Sequence, residues 1–324
     1  MLPFSNIPYG APPGYAYPIF EFGMYFLFLI CLLHAAKNGM RHVSYLFGGL
    51  VFGLLLEYVN VVTNMGYIYG KFLVMFGTAP KDIPLCIGVG WGIIMYSARL
   101  FTDSLNLSLW ASAALDTLLA ITIDLSMDTV AYRLHMWHWN WEGTGINPLT
   151  GEWFGIPYGN FFGWLCVVFF YSSTSRLFQN LLSRNGNKSQ IRPILIPFLS
   201  VILSQVFLYV TLVYIDSFLK SQFGITARDR FVFSLIALSV TVIYNLTKRK
   251  QRLSSQPVIT WLVPAFFHIY FLAFLFISGF YKENVLLIVV PVTITIFSVV
   301  LHLLPVIQSR KGVIGIEERD GVMV

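Results

Sequence analysis

The chain has 324 residues, of which 56% are hydrophobic, 17% aromatic and only 11% charged, with a mean hydropathy of +0.71. Soluble domains carry about 25% charged residues, so this composition excludes a soluble globular protein and defines a polytopic membrane protein. The net charge of +6 follows the loops between apolar runs, so it reports membrane topology, not a nucleic-acid footprint.

Apolar runs of about 20 residues each can cross a bilayer core of roughly 30 Å. They predict an all-α membrane protein of nine (eight to nine) transmembrane helices, over 16–36, 44–63, 83–101, 107–128, 158–179, 194–219, 230–247, 257–279 and 285–307. Pro197 and Pro291 fall inside the sixth and ninth runs, where a missing N–H favours a kink. With the N-terminus outside and the C-terminus cytoplasmic, the inner loops hold fourteen Lys and Arg residues and the outer loops seven, the expected positive-inside bias. The stretch before Tyr15 holds no Lys or Arg, so it does not resemble the start of a signal peptide, and the first span is expected to stay. Residues 1–324 read as one integral-membrane domain. A motif-bearing core covers about 44–180, with an aromatic outer loop over 129–157, and 181–324 supplies additional membrane helices. Cys31, Cys86 and Cys166 lie inside spans, have no neighbour at metal-ligand spacing and say nothing about redox compartment.

Carboxylates interrupt these spans. Glu57 lies in the second, and Asp124 and Asp128 lie one helical turn apart near the end of the fourth. Each ionisable group at membrane depth costs roughly 2.5–3.5 kcal/mol on insertion scales, so it faces a protein interior or a wet cavity and marks a functional site. Asn60 and Asn64 share a helical face with Glu57, Asn160 opens the fifth span, and all fall in the outer half of the membrane. Asp116 sits deeper, on the shoulder of the Asp124 face, and Glu21 falls in the outer half of the first span. A lone Asn in a membrane helix also serves simply to bond a neighbouring helix.

The outer loop carries Trp137-His138-Trp139-Asn140-Trp141 and then Trp153-Phe154-Gly155-Ile156-Pro157-Tyr158. Interfacial aromatic belts account for some of these rings, but their density, with Gly and Pro between them, predicts a folded cap. Tyr58, Tyr67, Tyr69, Trp91 and Tyr96 place more rings near the acids, as do Trp137, Trp139 and Trp164, and such faces beside carboxylates suit an unsaturated hydrocarbon or a carbocation formed from one. His135 and His138 beside Asp128 match no strong metal motif, and no metal or cofactor is predicted. Phosphate-binding, dinucleotide-binding and nucleophile-elbow motifs are also missing from the sequence.

The ordered set Glu57-Tyr58, Gly66-Tyr67-Ile68-Tyr69, Pro84-Leu85 with Trp91 and Tyr96, Asp124-Leu125-Ser126-Met127-Asp128, Trp137-His138-Trp139 and Phe154-Gly155-Ile156-Pro157-Tyr158-Gly159-Asn160-Phe161-Phe162-Gly163-Trp164 resembles a family of carotenoid-biosynthesis membrane proteins. That family includes the carotenoid 1,2-hydratases (CruF type) and the bisanhydrobacterioruberin hydratases. The resemblance is densest between about 55 and 165, and one departure stands out: the family's Asp-Pro is Asp128-Thr129 here. It implies cofactor-independent addition of water to the terminal C=C bond of an acyclic carotenoid or related isoprenoid.

Such chemistry needs a proton donor, a pocket tolerant of a tertiary cation, and a delivered water. Desolvation favours a neutral carboxyl group, and two such groups one turn apart rarely both ionise. Asp128 is expected to donate with Asp124 as its partner, or the reverse, and Glu57 is expected to orient water. Asn60, Asn64, Tyr58, Tyr67, Trp91, Tyr96, Trp137, Trp139, Asn160 and Trp164 are the expected substrate-binding residues. The partners are then a lipophilic isoprenoid, water and membrane lipids, in the plasma membrane of a prokaryote, with the oligomeric state open. Three other readings stay open. A membrane terpene or carotenoid cyclase shares the protonation step. A UbiA-type prenyltransferase needs two aspartate-rich motifs where this chain has one Asp-x-x-x-Asp. A lipid or ion transporter with buried acids would often show internal repeats or broken helices.

Overall fold

A computed structural model of the chain describes residues 9–63, 66–141, 144–183, 192–248 and 256–320, with side chains of the last helix described to Leu303. Nine helices among the described residues are long and apolar enough to cross a membrane, as the apolar runs predict. In chain order the helices are α1 (Ala16–Asn38), α2 (Met40–Val62), α3 (Leu85–Asp103), α4 (Leu109–Arg133), α5 (Tyr158–Ser183), α6 (Arg192–Tyr209), α7 (Asp216–Phe223), α8 (Ala227–Lys248), α9 (Ile259–Ile277) and α10 (Leu286–Asp320). A π-helical segment, Val210–Ile215, joins α6 to α7 in one span. The irregular point of this span is thus that segment, while Pro197 sits within regular α6.

Short sheet elements complete the fold: β1 (Tyr67–Tyr69) pairs antiparallel with β4 (Trp137–Trp139), and β2 (Met75–Phe76) with β3 (Ile83–Pro84). The aromatic loop between α4 and α5 therefore does fold, but as a strand laid against the connection between α2 and α3.

Burial orders the helices. The apolar stretches of α3 and α4 are 83% and 72% buried, whereas that of α8 is 11% buried, so α3 and α4 form the centre and α8 lies at the periphery. Glycines let α2 and α3 approach closely. A Cβ on Gly49 would lie 3.1 Å from the Gly92 Cα, and one on Gly53 would overlap the Trp91 ring. Small residues at such contacts replace the hydrophobic drive that is missing between helices in lipid.

Helix α4 extends to Arg133, past the boundary at 128 expected from hydropathy. The physical reason lies in Asp128-Thr129: no proline stops the helix, and Val130, Ala131 and Tyr132 bury its last turn. Arg133, counted by charge as a loop residue, is instead buried. It forms a two-pronged ion pair with Glu283 at 2.8 and 2.8 Å and donates to the Thr129, Leu149 and Phe154 carbonyls, pinning the aromatic loop to α4.

Candidate active site

The paired strands build the lid of the site. In the register Tyr67↔Trp139, Ile68↔His138 and Tyr69↔Trp137, side chains alternate between faces. Tyr67, Tyr69, Trp137 and Trp139 line a cavity of about 60 Å³, and Ile68 and His138 do not. The Tyr-x-Tyr and Trp-x-Trp spacings therefore place four rings on one face of a two-stranded ribbon.

Below the lid the cavity is walled by Glu57 from α2, by Trp91, Ile87, Gly90 and Ile94 from α3, and by Asp128 and Met127 from α4. Asn160 and Trp164 come from α5, Phe20 and Met24 from α1, and Phe267 from α9. Asp124 and Asp128, both buried, are bridged by one amide: Asn160 Nδ2 donates to Asp128 Oδ2 at 2.6 Å and to Asp124 Oδ2 at 3.2 Å. The other Asp124 oxygen is buried and meets no hydrogen-bond partner among the described residues. Glu57 accepts from the Trp91 indole N–H at 2.9 Å and from the Tyr67 hydroxyl, which in turn accepts from Asn60 Nδ2 at 3.2 Å. Burial, reinforced by Glu57, pushes the Tyr67 phenol well above its ordinary range, so it stays a donor at neutral pH.

Asn60 lies not in this cavity but in an adjoining chamber of about 240 Å³. The chamber shares Glu57, Tyr67, Trp91, Trp139, Asn160 and Trp164 with the cavity and extends along α2, α5 and the π-helical segment to Leu56, Gly163 and Leu212. The Trp91 and Trp164 rings, 4.2 Å apart between centroids, line both spaces.

Other expected residues fall elsewhere. Tyr58 is 51% exposed and turned away from the cavity, because it lies about 100° round the helix from Glu57. Tyr96 is buried at the opposite end of the molecule between His34 and His42. Asn64 lies outside the described residues. Asp116 does not join the Asp124 pair; it binds Arg176 at 2.9 Å and Thr102 and Ser172 at 2.5 Å, at the Tyr96 end. Glu21 accepts from the Leu73 and Val74 amides and the Tyr25 hydroxyl, so it fixes the connection between α2 and α3.

His138 packs on Tyr132 and His135 and does not line the cavity. Burial and His135 lower its pKa to about 4, leaving it neutral. Among the described residues no group of three His, Cys, Asp or Glu side chains is arranged to hold a metal.

A family model described as "Carotenoid biosynthesis protein" matches residues 16–227, about two thirds of the chain. The chain belongs to the carotenoid biosynthesis protein family. Comparison with curated proteins and with solved structures gave no match. In this carotenoid biosynthesis protein, Phe20, Met24, Met127 and Phe267 line the cavity without any polar signal to announce them. Phe267 lies beyond the matched residues, so α9 closes a site whose acids all lie within them.

Proposed function

We propose that the protein hydrates the terminal C=C bond of an acyclic carotenoid or related isoprenoid. One observation carries this reading: Asp128 and Glu57, from different helices, line a single aromatic cavity, and Asp128 is tied to a second carboxylate through Asn160. Two buried carboxylates that share one amide donor favour holding a proton between them, because both charges together are costly in a dry site.

The Asp128 carboxyl proton adds to the terminal alkene carbon as its π pair forms the new C–H bond. This leaves a tertiary cation at the neighbouring carbon and a carboxylate on Asp128. Water oxygen attacks the cation, and Glu57 takes the released proton. Proton return from Glu57 to Asp128 by way of solvent restores the site, so the sum is one water added per reacting end. The Trp91 and Trp164 ring faces favour the cation, each by roughly 0.5–2 kcal/mol. The aromatic cavity holds the acids that meet the reacting end group, and the larger adjoining chamber between α2 and α5 takes the hydrocarbon tail.

Expression in a lycopene-producing bacterium, followed by pigment mass spectrometry, tests the proposal. Products heavier than lycopene by one or two waters support hydration. An isomer of unchanged mass points to a cyclase instead, and unaltered lycopene with well-expressed protein contradicts turnover of this acyclic carotenoid.

A further inference from the structure

At the end of the bundle opposite Asp128, the structure holds a second polar site that the proposed chemistry does not use. A cavity of about 290 Å³ lies between α2, α3, α4 and α5, lined by Arg41, Arg99 and Arg176 together with Asp103, Ser112 and Gln179. Its floor is buried: Arg99, Arg176, Ser112 and Gln179 are each less than a tenth exposed. Arg41, Asp103 and Asn180 form an exposed rim.

The charges around this cavity do not cancel. Asp116 is fully engaged by Arg176, Thr102 and Ser172, and Asp103 is shared between Arg176 and Arg99. The Arg41 guanidinium makes no ion pair among the described residues; it donates to Gln179 Oε1, the same neutral oxygen that takes Arg99 at 2.5 Å. Two guanidinium groups thus converge on one amide oxygen beside an open space, with three arginine charges set against two carboxylates. Like charges brought together this way favour an anion between them, and the planar guanidinium fork matches phosphate oxygens two at a time.

We propose that this cavity binds the phosphate group of a ligand with net negative charge, one in which no neighbouring cation neutralises the phosphate. The bias of Lys and Arg assigns this end to the cytoplasmic face, where basic pockets between helices meet anionic headgroups. A phospholipid phosphate entering past Arg41, with its glycerol against Leu107 and Leu109, accounts for both the charged floor and the apolar wall. Free inorganic phosphate offers the same chemistry without the apolar contacts.

The test uses the full chain purified in a neutral detergent and compares three probes: short-chain phosphatidylglycerol, short-chain phosphatidylcholine and inorganic phosphate. Native mass spectrometry reads adducts, and thermal melting reads stabilisation. The expected result is a saturable phosphatidylglycerol adduct with a raised melting temperature, and weak or no effect of phosphatidylcholine. Arg41→Gln weakens the adduct about tenfold, the loss of one charge-assisted contact, and Arg41→Lys restores part of it. Stabilisation by inorganic phosphate alone, lost in Arg41→Gln, supports the phosphate site with a soluble source. Equal binding of phosphatidylglycerol and phosphatidylcholine to the unaltered chain, no effect of any probe, or full phosphatidylglycerol binding in Arg41→Gln overturns the proposal. The wild-type comparison of lipids decides the matter even if the variant does not fold, and pigment conversion plays no part in it.

Discussion

Asn160→Leu tests the acid pair at its weakest point. Leucine keeps the approximate volume of asparagine and removes the one amide that reaches both carboxylates, at 2.6 and 3.2 Å. Hydrogen bonds to charged groups contribute roughly 1.5–3 kcal/mol each. The longer contact to Asp124 falls at or below the bottom of that range, so the pair loses about 2–4 kcal/mol of orientation and charge support. With about 1.4 kcal/mol per factor of ten in rate, conversion should fall roughly 30- to 1,000-fold. The assay is pigment conversion per unit of membrane protein in lycopene-producing cells, with a melting curve to show that the variant is folded. Asn160 sits at the cavity wall and is not fully buried, so the fold should survive. Conversion within threefold of wild type in a folded Asn160→Leu protein would refute the idea that the amide bridge organises the acid pair.

Gly53→Ala should lower conversion while α2 and α3 still pair, because the new methyl overlaps the Trp91 ring and displaces its indole from Glu57; Trp91 fluorescence in a background lacking the other tryptophans of the cavity would report the displacement. Glu283→Ala leaves the buried Arg133 guanidinium without its carboxylate and should destabilise the protein by about 3 kcal/mol, seen as a lower melting temperature, whereas Asp229→Ala, which removes only a helix-start hydrogen-bond pair with Thr226, should lower it less. The neutral His138 adds a pH dependence of known sign. Its pKa of about 4 in the fold lies below the ordinary 6.5, so the unfolded chain binds the extra proton, and stability falls as the pH drops from about 6.5 towards 4. His138→Phe should flatten that part of the melting-temperature profile, and an unchanged slope would contradict the assignment.

Much of this was legible in the residues. Apolar run length predicts the nine spans, and the four-residue spacing of Asp124 and Asp128 places both on one helical face whatever the tertiary packing. The exclusion of Tyr58 was also readable, since adjacent residues on a helix point about 100° apart. Strands β1 and β4 were not: three residues are too few for a period, and their Tyr and Trp content matches an interfacial belt equally well. Asp116 looked like a member of the acid cluster because helix periodicity gives angle and depth but not the neighbour. Arg176 is the residue that decides its place, and it comes from α5, 60 positions away. Phe267 carried no signal, being one phenylalanine on an apolar helix. The continuation of α4 to Arg133 follows from a residue that is missing, the proline that would have ended the helix after Asp128.

Asp128→Asn compared with wild type in the same lycopene-producing cells is the most direct test of the proposed chemistry. The carboxamide keeps the shape of the side chain and its contact with Asn160 but cannot supply the carboxyl proton. The account predicts water-adduct pigments from wild type and none above background from a folded, equally expressed Asp128→Asn protein. Hydrated pigment from Asp128→Asn at the wild-type level would contradict it.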